Sequence, residues 1–342
     1  MKIAIYAFSR QGCSVANTIK EQYVSEVYTV ERLAGEFSFL PIEKGIMVSV
    51  GQCFRQADAL IFIGACGIAV RAIAPYVKSK AADPAVIVID DQAIHAISLL
   101  SGHLGGANEL TIELAALLGA TPVITTATDV SGKFSVDDFA RKHGCILDNL
   151  SLAKEVSARI LNEEIPFLSD FSYPKELPVG LKVWTDRLKV PAEELGIYLT
   201  YQKRTPFDKT LRIIYPSLHL GIGCRRGTSL EAIQELLNEV FLNYELEQRA
   251  IKSISSIDLK KEEKGMIALA NRCLVPFVCY SSERLQEAPG EFTASDFVES
   301  VTGVDNICER AAVLSSGSKE LIVKKTAKHG VTIAVSKEEF RW

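Results

Sequence analysis

One local arrangement recurs along this chain: a short apolar run, a turn that contains glycine, and then a helical pattern. It occurs at 59–74, at 97–119 and at 218–241. A strand that passes through glycine into a helix lets a ligand approach the backbone closely, because glycine has no Cβ and the first helical amides point toward the turn. We therefore predict an α/β protein whose N-terminal and C-terminal units are both built from such strand–turn–helix elements.

The turn S-G-H-L-G-G at 101–106 contains the side chain best suited to proton transfer. The run 97–100 predicts a buried strand before it, and we expect the following helix to start with Asn108 as N-cap and to stop at Gly119. The usual pKa of a histidine lies near neutrality, so His103 can exchange a proton at physiological pH. An anion-binding site and a tight structural turn with a hydrogen-bonded histidine both fit this pattern. The candidate site residues here are Ser101, Gly102, His103, Gly105, Gly106 and Asn108.

Arginines accompany the other turns of the N-terminal unit. Arg10 follows the first predicted strand, 2–8, and the turn G-A-C-G opens a helix predicted over 68–74 with Arg71 one turn in. A carboxylate could bind the amides of Gly64 and Gly67 together with a guanidinium, although a solvated arginine is the alternative. The fingerprint G-x-G-x-x-G is absent after the first strand, so nothing there favours a dinucleotide.

The third turn, G-C-R-R-G-T at 223–228, contains two adjacent arginines. A capping box formed by Thr228 and Glu231 predicts the start of the next helix. Arg225 and Arg226 then face a helix N-terminus, where a guanidinium pair suits carboxylates or phosphates, and Gly223 allows close approach. Cys224 is interpreted as a buried small thiol, because no partner base is evident in the sequence.

The segment T-T-A-T-D at 125–129 follows a strand predicted over 121–124. Ligands of open α/β sheets bind at the carboxyl ends of the strands, which makes Thr126 a candidate contact. Capping of local backbone by these hydroxyls is the alternative.

Three domains are predicted: an N-terminal α/β domain at 1–129, a small variable middle domain or linker at 130–216, and a C-terminal α/β domain at 217–342. The middle part is rich in proline, with helical patterns at 135–143 and 152–162 and short strand-like pieces. Two hairpins are expected, one around Asp90-Asp91-Gln92 and one joining 321–326 to 331–336. A strand at 251–257 leads through D-L-K-K-E-E into another predicted helix.

Composition excludes several classes of protein. The net charge of −4 and the lack of a basic aromatic platform give no reason to expect nucleic acid. No apolar run reaches membrane-spanning length, and the first residues form a strand rather than an export signal, so we expect a cytoplasmic protein. Eight cysteines without a C-x-x-C pair argue against a zinc site and a disulfide framework.

Five segments taken in order carry a family resemblance: G-A-C-G-I-A-V-R (64–71), I-S-L-L-S-G-H-L-G-G-A-N (97–108), T-T-A-T-D (125–129), G-I-G-C-R-R-G-T (221–228) and S-I-D-L-K-K-E-E (256–263). They resemble the CbiG family of cobalamin biosynthesis proteins over nearly the whole chain. The resemblance implies hydrolysis of cobalt-precorrin-5A: a δ-lactone on a ring-contracted cobalt tetrapyrrole opens, acetaldehyde is released, and cobalt-precorrin-5B forms. It implies no cofactor, since the substrate carries the cobalt.

This implied reaction suggests roles for the candidate residues. His103 would activate water and the amides of Gly105 and Gly106 would stabilise the oxyanion, while Lys260 or Glu263 would carry the second proton. Arg10, Arg71, Arg225 and Arg226 would bind the substrate carboxylates. The expected partners are the tetrapyrrole and other enzymes of the pathway, with neither nucleic acid nor membrane.

Two other functions remain open at this stage. A non-catalytic carrier of tetrapyrrole intermediates would use the same glycine and arginine turns, and the release of acetaldehyde separates it from an enzyme. A nucleotide-dependent enzyme on a doubly wound sheet is disfavoured, because no Walker or dinucleotide motif occurs.

Overall fold

The computed structural model describes residues 1–79, 82–103, 105–126, 132–184 and 194–342. The chain divides into two compact units, Met1–Arg141 and Lys142–Trp342. Each unit combines helices with mostly parallel strands, which confirms the predicted α/β class. The three-domain division with breaks near 129 and 216 stays a prediction.

The first unit is built on one sheet with the strand order β3-β2-β1-β4-β5-β6-β7. Its strands are β1 Ile3–Ala7, β2 Ser25–Thr29, β3 Leu40–Pro41, β4 Ala59–Ile63, β5 Ala85–Ile89, β6 His95–Leu100 and β7 Thr121–Val123. Its helices are α1 Arg10–Gln22, α2 Glu31–Phe37, α3 Ile46–Cys53, α4 Cys66–Ile73, α5 Ala107–Leu118 and α6 Val136–Lys142. All residues of β1, β4 and β5 are buried, as expected for parallel strands covered by helices on both faces.

One pairing reverses the direction of this sheet. Strands β1 to β5 are parallel, but β6 pairs antiparallel with β5 through the hairpin predicted around Asp90-Asp91-Gln92, and β7 is parallel to β6. The carboxyl ends of β6 and β7 therefore lie at the edge of the sheet where β1, β4 and β5 begin. Gly105 confirms this placement, because a Cβ on it would lie 3.4 Å from the backbone nitrogen of Ala85, the first residue of β5.

The second unit contains two sheets, ordered β10-β9-β11-β12-β8 and β15-β14-β13-β17-β16. The strands of the first are β8 Ile146–Leu147, β9 Ile165–Ser169, β10 Leu181–Val183, β11 Leu195–Thr200 and β12 Lys209–Ile214, accompanied by the helix α7 Leu150–Arg159. The strands of the second are β13 Leu218–Cys224, β14 Ile251–Ile257, β15 Phe277–Tyr280, β16 Leu321–Lys328 and β17 Val331–Lys337. Its helices are α8 Leu230–Asn243, α9 Lys264–Cys273, α10 Ser282–Gln286, α11 Asp296–Thr302 and α12 Cys308–Ser316.

In the sheet β15-β14-β13-β17-β16, the strand directions place several loops at the same end of the strands. Strands β13, β14 and β15 are parallel, while β17 pairs antiparallel with β13 from Leu218↔Lys337 to Cys224↔Val331. The turn of the predicted hairpin β16–β17 therefore lies beside the carboxyl end of β13. The D-L-K-K-E-E segment forms a short 3₁₀ turn, Asp258–Lys260, and the helix predicted to follow it begins at Lys264, which confirms that prediction.

A half-buried carboxylate, Glu338, holds the C-terminal residues. Glu338 is hydrogen-bonded to His219, Tyr215 and Lys252. Burial alone would raise the pKa of Glu338, but these three partners outweigh it and lower the pKa to about 2. Beyond Glu338, the ring of Phe340 packs against Phe171, which lies just after β9, and this contact anchors the end of the chain there.

Candidate active site

The predicted site residues of the first unit fall at opposite edges of its sheet. Arg10, Gly64, Gly67 and Arg71 follow the carboxyl ends of β1 and β4, where the chain connections diverge and open α/β sheets bind ligands. The turn at 101–106 lies at the other edge, because β6 is reversed. A five-residue strand is roughly 16 Å long, so the two groups do not line one pocket within this unit.

At the first edge, the arginines already have partners. Gly64, with φ +147°, closes over the ring of Phe8, to which an added Cβ would lie 3.3 Å away. Arg10 is the first residue of α1, and its guanidinium lies 3.1 Å from the Glu36 carboxylate. Nη1 of Arg71 donates to the carbonyl of Gly67 at 3.2 Å. A substrate carboxylate here would compete with these contacts.

At the other edge, the described residues of this turn, 101–103 and 105–106, are tightly folded. Ser101 has a left-handed φ of +58°, and its buried hydroxyl has no hydrogen-bond partner within the described ranges. A Cβ on Gly102 would lie 2.7 Å from Oδ1 of Asn108, and one on Gly105 would lie 2.4 Å from the Ser101 Cβ. Packing therefore requires glycine at both positions. A strained backbone beside an orphaned polar atom is typical of functional turns.

The helix after this turn starts differently from the prediction. Gly106, at φ +78°, is the N-cap of α5, and Asn108 lies in the first turn, so the N-cap assignment of Asn108 is wrong. Its side chain instead accepts from the Ser98 hydroxyl at 2.6 Å and donates to Thr126 Oγ1 at 3.0 Å. Asn108 thereby joins β6 to the segment after β7, which no local pattern could indicate. Ala127, Thr128 and Asp129 lie outside the described residues.

The turn also uses its own amides. The N–H of Gly106 donates to the carbonyl of His103 at 2.9 Å, and those of Ala107 and Asn108 donate to Ser101 and Gly102 at 3.1 and 3.0 Å. An oxyanion bound by Gly106 would have to replace the first of these bonds. His103 itself is partly exposed.

In the second unit, a cavity of about 760 Å³ opens at the edge where β13 and β14 end. Gly223, Arg225, Arg226 and Lys260 all line it, so the structure brings these predicted residues together. The hairpin turn lies beside this loop, because the N–H of Arg225 donates to the carbonyl of Gly330 at 3.2 Å. A Cβ on Gly330 would lie 3.0 Å from the Arg225 side chain. The absence of a side chain at Gly330 therefore leaves room for the Arg225 side chain.

The local structure of this arginine turn corrects two predictions. Ser229, not Thr228, is the N-cap of α8, and its hydroxyl accepts from the N–H of Ala232 at 3.3 Å. The predicted capping box is wrong by one residue, because the Thr228 hydroxyl instead donates to the carbonyl of Arg225 at 2.7 Å. Cys224 is half-buried and borders the cavity, so its interpretation as a buried thiol is wrong, although partial burial still raises the pKa of the thiol.

Lys260 and Glu263 form a largely buried pair. Nζ of Lys260 lies 3.2 Å from Oε2 of Glu263, and their side chains are 17% and 8% exposed. The other carboxylate oxygen of Glu263 accepts from the N–H of Gly227 at 2.9 Å. Glu263 thus has both oxygens engaged, whereas Lys260 also borders the cavity.

Several lining residues of the cavity were missed by the sequence reasoning. Lys325, Lys328 and His329 come from the β16–β17 hairpin, and Val298 and Val301 come from α11. The run K-K-T-A-K-H-G at 324–330 was a detectable signal, since cationic residues flank a turn in which His329 has a φ of +49°. Nothing in the sequence of α11 marks it as a cavity wall.

Two kinds of feature are absent from the part of the chain that the structure describes. No group of three or more histidine, cysteine or acidic side chains in these ranges could hold a metal ion. No helix in them has the length and apolar character needed to cross a membrane.

Comparisons with families, sequences and structures of known proteins all match proteins of cobalamin biosynthesis. Residues 49–129 match the family model "Cobalamin synthesis G N-terminal", and residues 218–336 match "Cobalamin synthesis G C-terminus". The chain is 35% identical to cobalt-precorrin-5A hydrolase of Salmonella typhimurium LT2 (97% of each chain covered) and 31% identical to that of Priestia megaterium (97% and 94% covered). The crystal structure of a cobalamin biosynthesis protein G homolog from Sulfolobus solfataricus aligns over 99% of this chain and 97% of its own, at 23% identity and a TM-score of 0.40.

Proposed function

This chain belongs to the CbiG family of cobalamin biosynthesis proteins, and from that premise we propose that it hydrolyses cobalt-precorrin-5A. The observation that carries the proposal is the 35% identity to a cobalt-precorrin-5A hydrolase along 97% of both chains. A carrier protein of the same pathway is the second candidate, but no specific observation favours it.

The proposed reaction consumes one water and releases one acetaldehyde. Water adds to the lactone carbonyl, the acyl–oxygen bond breaks, and a carboxylate and a hydroxyl are formed. The hydroxyl then loses its proton, the bond between its carbon and the macrocycle breaks, and the ring carbon accepts a proton. Cobalt enters and leaves within the tetrapyrrole, so the protein needs no cofactor for these steps.

We assign the first proton transfer to His103 and the second to the Lys260–Glu263 pair. A partly exposed imidazole in a strained turn with an orphaned hydroxyl supports the assignment of His103. For the second step, Lys260 is the stronger candidate, because it borders the cavity while Glu263 is held by two hydrogen bonds. Oxyanion stabilisation by Gly105 remains part of the proposal, and the same role for Gly106 requires its bond to His103 to break.

Substrate carboxylates are proposed to bind the arginines and the glycine turns. Arg225 and Arg226 are the strongest candidates, because neither forms an ion pair within the described ranges and both border the cavity. Arg10 and Arg71 are weaker candidates, since each already contacts an acceptor of the protein. The remaining proposed contacts are Gly64, Gly67, Ser101, Gly102, Asn108, Thr126 and Gly223.

The test is to incubate purified protein with cobalt-precorrin-5A without oxygen, and to measure acetaldehyde and the mass of the tetrapyrrole. The proposal predicts one acetaldehyde per product. His103→Ala should abolish most of the turnover, whereas His95→Ala should not, because the His95 side chain is 53% exposed and pairs with Asp90. Tight binding of the substrate without acetaldehyde would instead establish a carrier.

A further inference from the structure

We propose that the cavity of the second unit binds the tetrapyrrole by its ring face, with Leu259, Val298 and Val301 packed against the macrocycle and the basic residues of the same lining bound to the carboxylates of the ligand. This inference rests on the proposed function and adds the substrate subsite and three residues that contact the ring.

The basic side of the cavity has a charge opposite to that of the whole protein. The chain carries a net charge of −4, yet the described residues that line this cavity include two arginines and three lysines and neither aspartate nor glutamate. Lys260 and Lys328 have carboxylate partners. Arg225, Arg226 and Lys325 form no ion pair within the described ranges, so their charges are available to a polyanion.

The apolar side of the cavity exposes aliphatic side chains. Leu259 is 66% exposed and Val301 is 63% exposed, and Val298 lies one helical turn before Val301 on α11. Apolar groups that remain exposed inside a concave site are typical of ligand-binding surfaces. A flat hydrophobic ring would bury them.

The α11 wall has a fixed position. Glu309, 1% exposed, accepts from the N–H and hydroxyl of Thr293, from the side-chain amide of Asn306 and from the N–H of Lys325. Thr293 and Asn306 flank α11, and Lys325 lies on the cationic side. One carboxylate therefore connects the two sides of the cavity.

Both sides together define the chemistry of the ligand. A linear polyanion would leave the aliphatic side chains in water, and a fatty acid would leave most of the cations unpaired. A macrocycle with an apolar face and peripheral carboxylates satisfies both sides. The cavity volume of about 760 Å³ falls in the usual range of small-molecule sites.

The test is a binding titration with cobyrinic acid, a cobalt corrinoid that bears free carboxylates and no lactone. Leu259→Asp and Val301→Asp should each raise Kd at least about ten-fold, because a charge replaces an aliphatic contact with the ring. Leu242→Asp is the matched control, since Leu242 is 76% exposed in the same unit and does not line the cavity. Its Kd should equal that of the wild type.

A second ligand and a comparison of the variants complete this test. Cobinamide, whose side chains are amides, should bind more weakly than cobyrinic acid. Wild-type Kd values in both Leu259→Asp and Val301→Asp, or an equal loss in Leu242→Asp, would overturn the proposal. Because cobyrinic acid does not react, a chain that binds it through this wall but releases no acetaldehyde from cobalt-precorrin-5A would refute the hydrolase and leave the subsite standing.

Discussion

Replacement of Glu309 by glutamine tests how the cavity wall is held. Oε1 of Glu309 accepts from the Thr293 hydroxyl at 3.0 Å and from the N–H of Lys325 at 2.7 Å. Oε2 accepts from the N–H of Thr293 and from the amide of Asn306, both at 2.7 Å. Glutamine has the same shape, but one of its two terminal atoms is a donor.

The magnitude follows from the donors that lose their acceptor. If the amide nitrogen takes the place of Oε1, the Thr293 hydroxyl can rotate and accept, but the Lys325 N–H is left facing a donor. If it takes the place of Oε2, the Thr293 N–H is left unpaired. At least one partly buried backbone N–H therefore loses its acceptor, which costs up to about 1–3 kcal/mol, and the stronger bonds to a charged acceptor are lost as well.

Urea unfolding of Glu309→Gln measures this loss. The midpoint should fall by an amount equivalent to about 1–3 kcal/mol, and the affinity for cobyrinic acid should fall with it. Glu245→Gln is the control, because Glu245 is 56% exposed in its pair with Arg204 and should change stability by less than about 1 kcal/mol. A wild-type midpoint for Glu309→Gln would refute the assignment of this carboxylate as the support of the wall.

Three further predictions concern chemistry, binding and acid stability. His103→Ala should lose about a hundred- to ten-thousand-fold in kcat while the protein stays folded, and near wild-type turnover by His103→Asn would exclude a general base there. Arg225→Ala and Arg226→Ala should raise KM more than they lower kcat, whereas a collapse of kcat at constant KM would show that these guanidiniums act in the chemical step. The pKa of Glu338 falls from 4.5 unfolded to about 2 folded, so the stability this carboxylate adds is present above about pH 4.5 and is lost as pH falls toward 2. Glu338→Gln should remove that part of the acid-induced loss, and an unchanged slope between pH 5 and 2 in urea titrations would contradict it.

The sequence predicted most helices and strands, but not the strand pairing that decides where the site residues lie. Apolar runs and glycine turns located β4, β6 and β13 and the helices that follow them, since these signals are local. The hairpin around Asp90-Asp91-Gln92 was also predicted, yet the reversal that it imposes moves His103 to the edge opposite Gly64, and this depends on the pairing of whole strands. Local pattern also misplaced Asn108, whose partners Ser98 and Thr126 lie outside its helix.

The sheet β10-β9-β11-β12-β8 and the lining of the cavity could likewise be predicted only in part from local sequence patterns. Strand β9 lies between β10 and β11, and β8 pairs antiparallel with β12, an order that short strand-like pieces cannot indicate. Arg225 and Arg226 were identifiable because arginines in a glycine turn have a clear chemistry. Val301 and Lys325 were not, because an aliphatic residue on a helix and a lysine in a strand acquire a role only when the fold brings them to the same cavity.

Turnover of cobalt-precorrin-5A in ¹⁸O-labelled water tests the proposed hydrolysis most directly. If water attacks the lactone carbonyl, the new carboxylate retains one ¹⁸O, and the mass of the tetrapyrrole product rises by one label while acetaldehyde is released in equal amount. A carboxylate does not exchange its oxygens readily at neutral pH, so the label persists through the measurement. Acetaldehyde accompanied by an unlabelled tetrapyrrole would mean that the alkyl–oxygen bond breaks instead, and unlabelled tetrapyrrole without acetaldehyde would contradict a hydrolase altogether.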